Sequence, residues 1–146
     1  MKRMLLAACL VLAALPAFAQ SWETLRAAQV TISVAEQIRV GHHGDYADLG
    51  SGRETVALPW GSLLAFAGNY PDTGTSRRFG LHIDGVPHAD CERYVSDAAP
   101  AFDDVWIGDA GPSAIGRSVF SAGHLDHAAL HDACRDDMVG IDFITH

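Results

Sequence analysis

Residues 21–41, "SWETLRAAQVTISVAEQIRVG", decide the fold. Projected at about 100° per residue, Leu25, Ala28, Ile32 and Ala35 fall in one stripe. Ala27, Val30, Val34 and Ile38 fall in a second stripe beside it. Arg26, Gln29, Ser33, Glu36 and Gln37 lie opposite. Ser21 can cap a helix, Glu23 suits its first turn and Gly41 can end it. The apolar arc is wide, which implies a helix with most of its surface covered. A rival signal sits inside the stretch: "VTISV", residues 30–34, alternates with period two, the habit of a strand. The helix accounts for the longer pattern and is the reading adopted. Trp22 falls on the polar side of this helix, which makes it the candidate exposed contact for a protein partner. Trp60 and Trp106 read as core.

Upstream, "MKRMLLAACLVLAALPAFAQ" has Lys2 and Arg3, an apolar run from Met4 to Leu15, Pro16, and small residues at 17–19. That is the pattern of a secretory signal peptide cut after Ala19, leaving residues 20–146 as a single domain. The run is too short for a permanent membrane anchor, so no stable membrane insertion is expected after cleavage. A competing pattern, Leu6-Ala7-Ala8-Cys9, matches a lipoprotein cleavage box with Cys9 as the lipidated residue. The expected location is periplasmic or extracellular.

The formal net charge is −8, and the leader holds two of the ten cations, including the one lysine. The exported part is therefore more acidic still. It would repel phosphate backbones and anionic lipid, so no nucleic-acid partner is expected. Two cysteines remain after the leader, Cys91 and Cys134. In an exported chain two cysteines usually form one disulfide; two free thiols are the alternative.

The rest of the chain alternates short elements with turn chemistry. "GHHGDYADLGSGRE" reads as a loop tacked down by Tyr46 and Leu49, and "TVALPWGSLLAFAG" as two apolar pieces parted by Pro59. "NYPDTGTSRR" reads as a turn. "FGLHIDG" turns Phe79, Leu81 and Ile83 inward and ends on an Asp-Gly turn. "VPHADCERYVSDAAP" reads as a helix with Pro87 in its first position. It puts Cys91, Tyr94 and Val95 on one face and stops at Pro100. "DDVWIGD", a short piece at "SVF", and "MVGIDFITH" read as strands, the last with Val139, Ile141, Phe143 and Thr145 on one face. The order implies an α+β fold, an N-terminal helix packed on an antiparallel sheet.

Four stretches in this order resemble the globular part of type IVb pilins, most of all the PilS group of conjugative thin-pilus pilins. They are residues 27–50, "LPWGS" at 58–62, residues 79–109, and "ACRDDMVGIDFIT" at 133–145. Pro59, Trp60 and Gly61 match a Pro-Trp-Gly element; Val86, Pro87 and Cys91 match the start of the second helix; Cys134 matches the cysteine before the last strand. The resemblance implies a Cys91–Cys134 disulfide bounding the C-terminal region. It also implies protein partners among pilus or secretion-system subunits, and a structural rather than enzymatic role. The chain departs from the pilin pattern at its N-terminus, where the apolar run looks like a discarded signal. That points to an accessory or minor component.

"HLDHAALHDACR", residues 124–135, offers the other class of function. His124, His127 and His131 on one helix would present a metal face, with His42 or His43 as a further ligand, and the chain would be a small periplasmic metal-binding protein. But Asp126 would then fall in the apolar arc. Taking Asp126 as N-cap starts the helix at His127 and leaves His124 in the loop. No cofactor or resident metal is expected on that reading. Catalytic signals are thin: no G-x-S-x-G elbow and no phosphate-binding loop occur. Asp103-Asp104 and Asp136-Asp137 read as loop charge.

Overall fold

The computed structural model describes residues 2–68, 77–110 and 116–145, with side chains in the first helix from Trp22 onward. That helix, α1, runs from Lys2 to His42. It passes through Ser21 without a break, so Ser21 is not its cap, and it ends one residue beyond Gly41. The reason is upstream: the stretch before Ser21 is rich in leucine and alanine, strong helix formers that extend the same helix. "VTISV" is helical too. Thr31 folds its hydroxyl back onto the Ala27 carbonyl at 2.9 Å, which gives this β-branched residue an internal partner. Thr24, Ala27, Ala28, Thr31, Ala35 and Ile38 are buried, while Leu25, Val30, Ile32 and Val34 are half-buried flanks.

A 3-10 turn, Ala47–Leu49, follows. Tyr46 and Leu49 are both buried, and Tyr46 meets Phe79 at 4.7 Å between ring centroids. Strands β1 (Arg53–Leu58) and β2 (Gly61–Ala67) form a hairpin across Pro59 and Trp60. Strand β3 (Phe79–Pro87) leads into α2 (His88–Ala98). Pro87 is the residue before the helix, in extended backbone, rather than its first member. The Asp84-Gly85 pair makes no turn. It is a bulge inside β3, where the register shifts between Ile83 and Val86 and Gly85 takes φ +73°. A 3-10 turn carries Pro100 past α2.

Strand β4 (Asp104–Asp109) comes next, then the short strands β5 (Arg117–Ser118), β6 (Phe120–Ser121) and β7 (His124–Leu125). β6 and β7 pair around Ala122 and Gly123, both at positive φ, as a two-residue hairpin requires. This hairpin is not apparent in the sequence pattern. Helix α3 (His127–Ala133) and strand β8 (Met138–Thr145) complete the fold. The turn read at 69–78 and part of the loop after β4 fall largely outside the described residues.

The main sheet has the order β1-β2-β3-β8-β4-β5, with every described pairing antiparallel. β8 is central, paired on both sides. Its Val139, Ile141, Phe143 and Thr145 are all buried, as are Leu81, Ile83, Val105 and Ile107 on its neighbours. Helix α2 contributes Cys91, Tyr94, Val95 and Ala98 to the same core. Tyr94 stands edge-on to Phe143 at 5.4 Å. The architecture is the α+β arrangement expected from the sequence.

Candidate functional site

The interface of α1 with α2 holds the buried polar residues Thr24, Thr31 and Asp90. Thr31 and Tyr94 share a hydrogen bond of 2.7 Å between hydroxyls. Burial pushes the Tyr94 phenol well above its ordinary range. Two turns toward the N-terminus, Thr24 donates to Asp90 Oδ1 at 2.9 Å, and Trp60 Nε1 donates to Asp90 Oδ2 at 3.2 Å. One carboxylate thus joins α1, α2 and the β1–β2 turn. This gives the Pro-Trp-Gly element its role: Trp60 is half-buried, reaches Asp90 and stands edge-on to Tyr94 at 4.8 Å. Sequence reasoning missed Thr24, Thr31 and Asp90. The available signal is their spacing: Thr24 and Thr31 are seven apart, on the buried line of α1 with Ala27 and Ala28.

The C-terminal region is fastened to α2. Cys91 and Cys134 form a disulfide with both residues fully buried and Cα atoms 5.7 Å apart. Around it, the His88 ring bonds the Cys134 carbonyl, the His88 amide donates to the Asp137 carbonyl at 3.1 Å, and His131 Nδ1 donates to Glu92 Oε1 at 2.6 Å. Asp126 caps α3, accepting from the amides of Ala128 and Ala129 at 2.9 and 3.1 Å. His124 lies in β7, off the helix. The three histidines therefore do not share a helix face, and His131 is engaged by Glu92. Among the described residues no group of three His, Cys, Asp or Glu side chains is placed to hold a metal ion.

The outer face of the sheet carries a polar cluster. His82 on β3 faces Asp142 on β8, with Nδ1 donating to Oδ1 at 2.7 Å. The hydrogen bond to Asp142 raises the imidazole's pKa; burial works against it, and the charges of Asp142 and Asp84 add to the rise. Gly140 leaves room here, since a Cβ at that position would lie 3.2 Å from Asp84 Oδ1 and 3.6 Å from His82 Cε1. Beside it Trp106 Nε1 donates to Asp104 Oδ2 at 2.7 Å, and Ser118 Oγ to Asp104 Oδ1 at 2.5 Å. Trp106 is half-buried on this face, so its indole covers the sheet rather than filling the core.

The solvent face of α1 displays Trp22, 67 % exposed, and Val40, 69 % exposed. Arg26 and Gln29 lie exposed between them. Along one flank of α1, a cleft of about 440 Å³ opens against the edge strand β1. Val30, Val34 and Ile38 line it from the helix, and Thr55 and Val56 from the strand. Ser33, Gln37 and His42 complete the polar part of the lining. The cleft contains no carboxylate and no arginine. His42 at its end pairs with Asp48 at 2.9 Å.

Comparisons with known proteins agree with this architecture. No family model matches the sequence, and no curated protein matches it. Among solved structures the chain is similar to TcpA, a type IV pilin from Vibrio cholerae El Tor biotype. The TM-score is 0.60 and the identity 13 %, over 86 % of this chain and 99 % of that one. What the two share at that identity is the fold: a helix laid on an antiparallel sheet. In this chain a disulfide bounds the C-terminal region of that fold.

Proposed function

We propose that the chain is an exported, pilin-like structural and interaction protein, an accessory or minor component of a type IV pilus or related secretion system. The observation that carries this reading is the arrangement of α1 against α2 and the sheet. That arrangement resembles a solved type IV pilin over nearly its whole length. The thin-pilus motifs support the finer assignment. Pro59-Trp60-Gly61 is tied to α2 through Asp90, and the Cys91–Cys134 bridge secures the C-terminal region. The partners are pilus or secretion subunits, and the location is the periplasm or the exterior. The role is structural, not enzymatic. Among the described residues no helix is long and apolar enough to cross a membrane.

Cleavage after Ala19 would leave α1 beginning at Gln20, with Trp22 near the new N-terminus. The unbroken helix from Lys2 favours a second possibility, in which the apolar part is retained as the upper half of α1. The intact mass of the exported protein decides. A chain starting at Gln20 supports the accessory reading, whereas a retained or lipidated N-terminus removes it. Co-purification of the tagged protein with pilus or secretion subunits from its native host tests the role itself, and capture of none of them would sink it.

A further inference from the structure

We infer that Asp90 is the counter-ion of the N-terminus that cleavage after Ala19 creates: its carboxylate, on α2, takes the new α-ammonium group of Gln20 and ties the start of the shortened α1 to α2. This rests on the cleavage in the reading above. Thr24 supplies the geometry. Gln20 precedes it by four residues on one continuous helix, a single turn and about 6 Å along the axis, so the two positions share a face. Thr24 is buried, and its hydroxyl donates to Asp90 Oδ1 at 2.9 Å. Helical side chains lean toward the helix N-terminus, over the preceding turn. The Asp90 carboxylate therefore stands beside the turn that begins at Gln20.

A cut after Ala19 makes this point more positive in two ways. The amides of residues 20–23 lose the carbonyls of residues 16–19 as helical partners, and the chain gains an ammonium group. The positive end of α2 is close by, because the two helices run in the same sense: Thr24 meets Asp90, Thr31 meets Tyr94, and Arg39 reaches the Ala101 carbonyl. Asp90 lies in the first turn of α2, 8 % exposed, between the two helix starts. A carboxylate offers about four lone-pair sites, so it accepts from an ammonium group in addition to Thr24 and Trp60. Glu23 and Arg26 on α1, His88 on α2 and Asp137 ahead of β8 are the titratable or charged neighbours toward this end, and all four are exposed to solvent and its screening. The β1–β2 turn brings Trp60, which does not titrate. Before cleavage α1 continues through this point and no ammonium group stands there, so the contact belongs to the processed chain alone.

The test uses the purified exported protein. Residues 20–146 contain no lysine, so the α-amino group is their one primary amine. Reductive methylation with isotope-labelled formaldehyde marks that group alone, and NMR follows its titration. In the folded protein it is expected to titrate about one pH unit or more above the same protein in urea, where the ordinary value is about 7.7–8.0. Asp90→Asn should remove this rise, and Glu23→Gln should keep it. If Asp90→Asn does not fold, the comparison of folded with urea-unfolded wild type still decides. An amine that titrates at its ordinary value in the folded protein, a folded Asp90→Asn protein that keeps the rise, or Gln20 found closed to pyroglutamate with loss of ammonia would overturn the contact. These results leave the pilin-related role standing. Failed capture of pilus subunits removes that role and leaves the contact, whereas an intact mass that includes residues before Gln20 removes the contact and the accessory reading together.

Discussion

The hydroxyls of Thr31 and Tyr94 meet at 2.7 Å where α1 crosses α2, and Thr31 also reaches the Ala27 carbonyl at 2.9 Å. Thr31 has a single hydroxyl hydrogen. If the helix carbonyl takes it, the Tyr94 phenol is the donor to Thr31 Oγ1. Removing either partner then has unequal consequences. Thr31→Val strands the buried phenol and should cost about 1–3 kcal/mol, whereas Tyr94→Phe leaves Thr31 satisfied and should cost about 0.5–1.5 kcal/mol from the lost bond. Adding Tyr94→Phe to Thr31→Val should recover part of the loss. Urea unfolding of the four proteins measures the cycle, and equal single costs with no recovery would refute this donor assignment.

Loss of the disulfide should be the largest single stability change. The bridge closes a sequence separation of 43, for which chain entropy gives about 4 kcal/mol. Replacing Cys91 and Cys134 together by alanine should lower the urea midpoint accordingly. Both cysteines are fully buried, so reductant should act only as the protein unfolds. Rapid reduction of the folded protein by a mild thiol would contradict this.

Removal of the α3 cap should have a local effect. Asp126→Ala leaves the amides of Ala128 and Ala129 without their acceptor and should cost about 1 kcal/mol. Hydrogen exchange should quicken across His127–Ala133 and not in β3 or β8. Uniform quickening would assign Asp126 a global role instead.

The His82–Asp142 pair sets a pH dependence with a definite sign. The folded imidazole titrates above its unfolded value of about 6.5. Its contribution to stability is therefore fully present below about pH 6.5 and is lost as pH rises through the folded value. Asp142→Asn should bring the His82 titration down, and the wild-type advantage over the variant should shrink toward alkaline pH. NMR titration of the His82 ring beside unfolding curves at several pH values checks both. An advantage that grows with pH would reverse the assignment.

The elements most legible in the sequence are those set by local periodicity. The wide apolar arc of α1, the alternation of β3 and β8, and Asp126 as a helix start all follow from neighbours within a few residues. Three misreadings share a cause, which is that tertiary pairing overrides local chemistry. Asp84-Gly85 has turn composition, yet β8 pairs beyond it at Val86 and Pro87 and pulls the strand onward through a bulge. The β6–β7 hairpin is too short to show a period, and it is held from outside by the Val119 amide on Val105 and the Asp126 amide on Val119. Trp106 carries the composition of a core residue. Its place on the outer face is set by pairing with Asp142 and Ser118, which no local pattern reveals. The Asp90 junction is equally hidden, because its three members are residues 24, 60 and 90, far apart in the chain.

The central position of β8 has a consequence for how the protein is made. β3 and β4 both pair with β8, and β8 follows every other strand in chain order. As the chain emerges N-terminus first, the β1–β2–β3 meander and the β4–β5 pair form as two unjoined pieces. Each presents a bare edge until residues 138–145 arrive to bridge them. Pairing across such sequence distances is slow. The unfinished sheet is therefore the stage at which the newly made chain is most open to aggregation and proteolysis, and residues 138–145 are what close that stage.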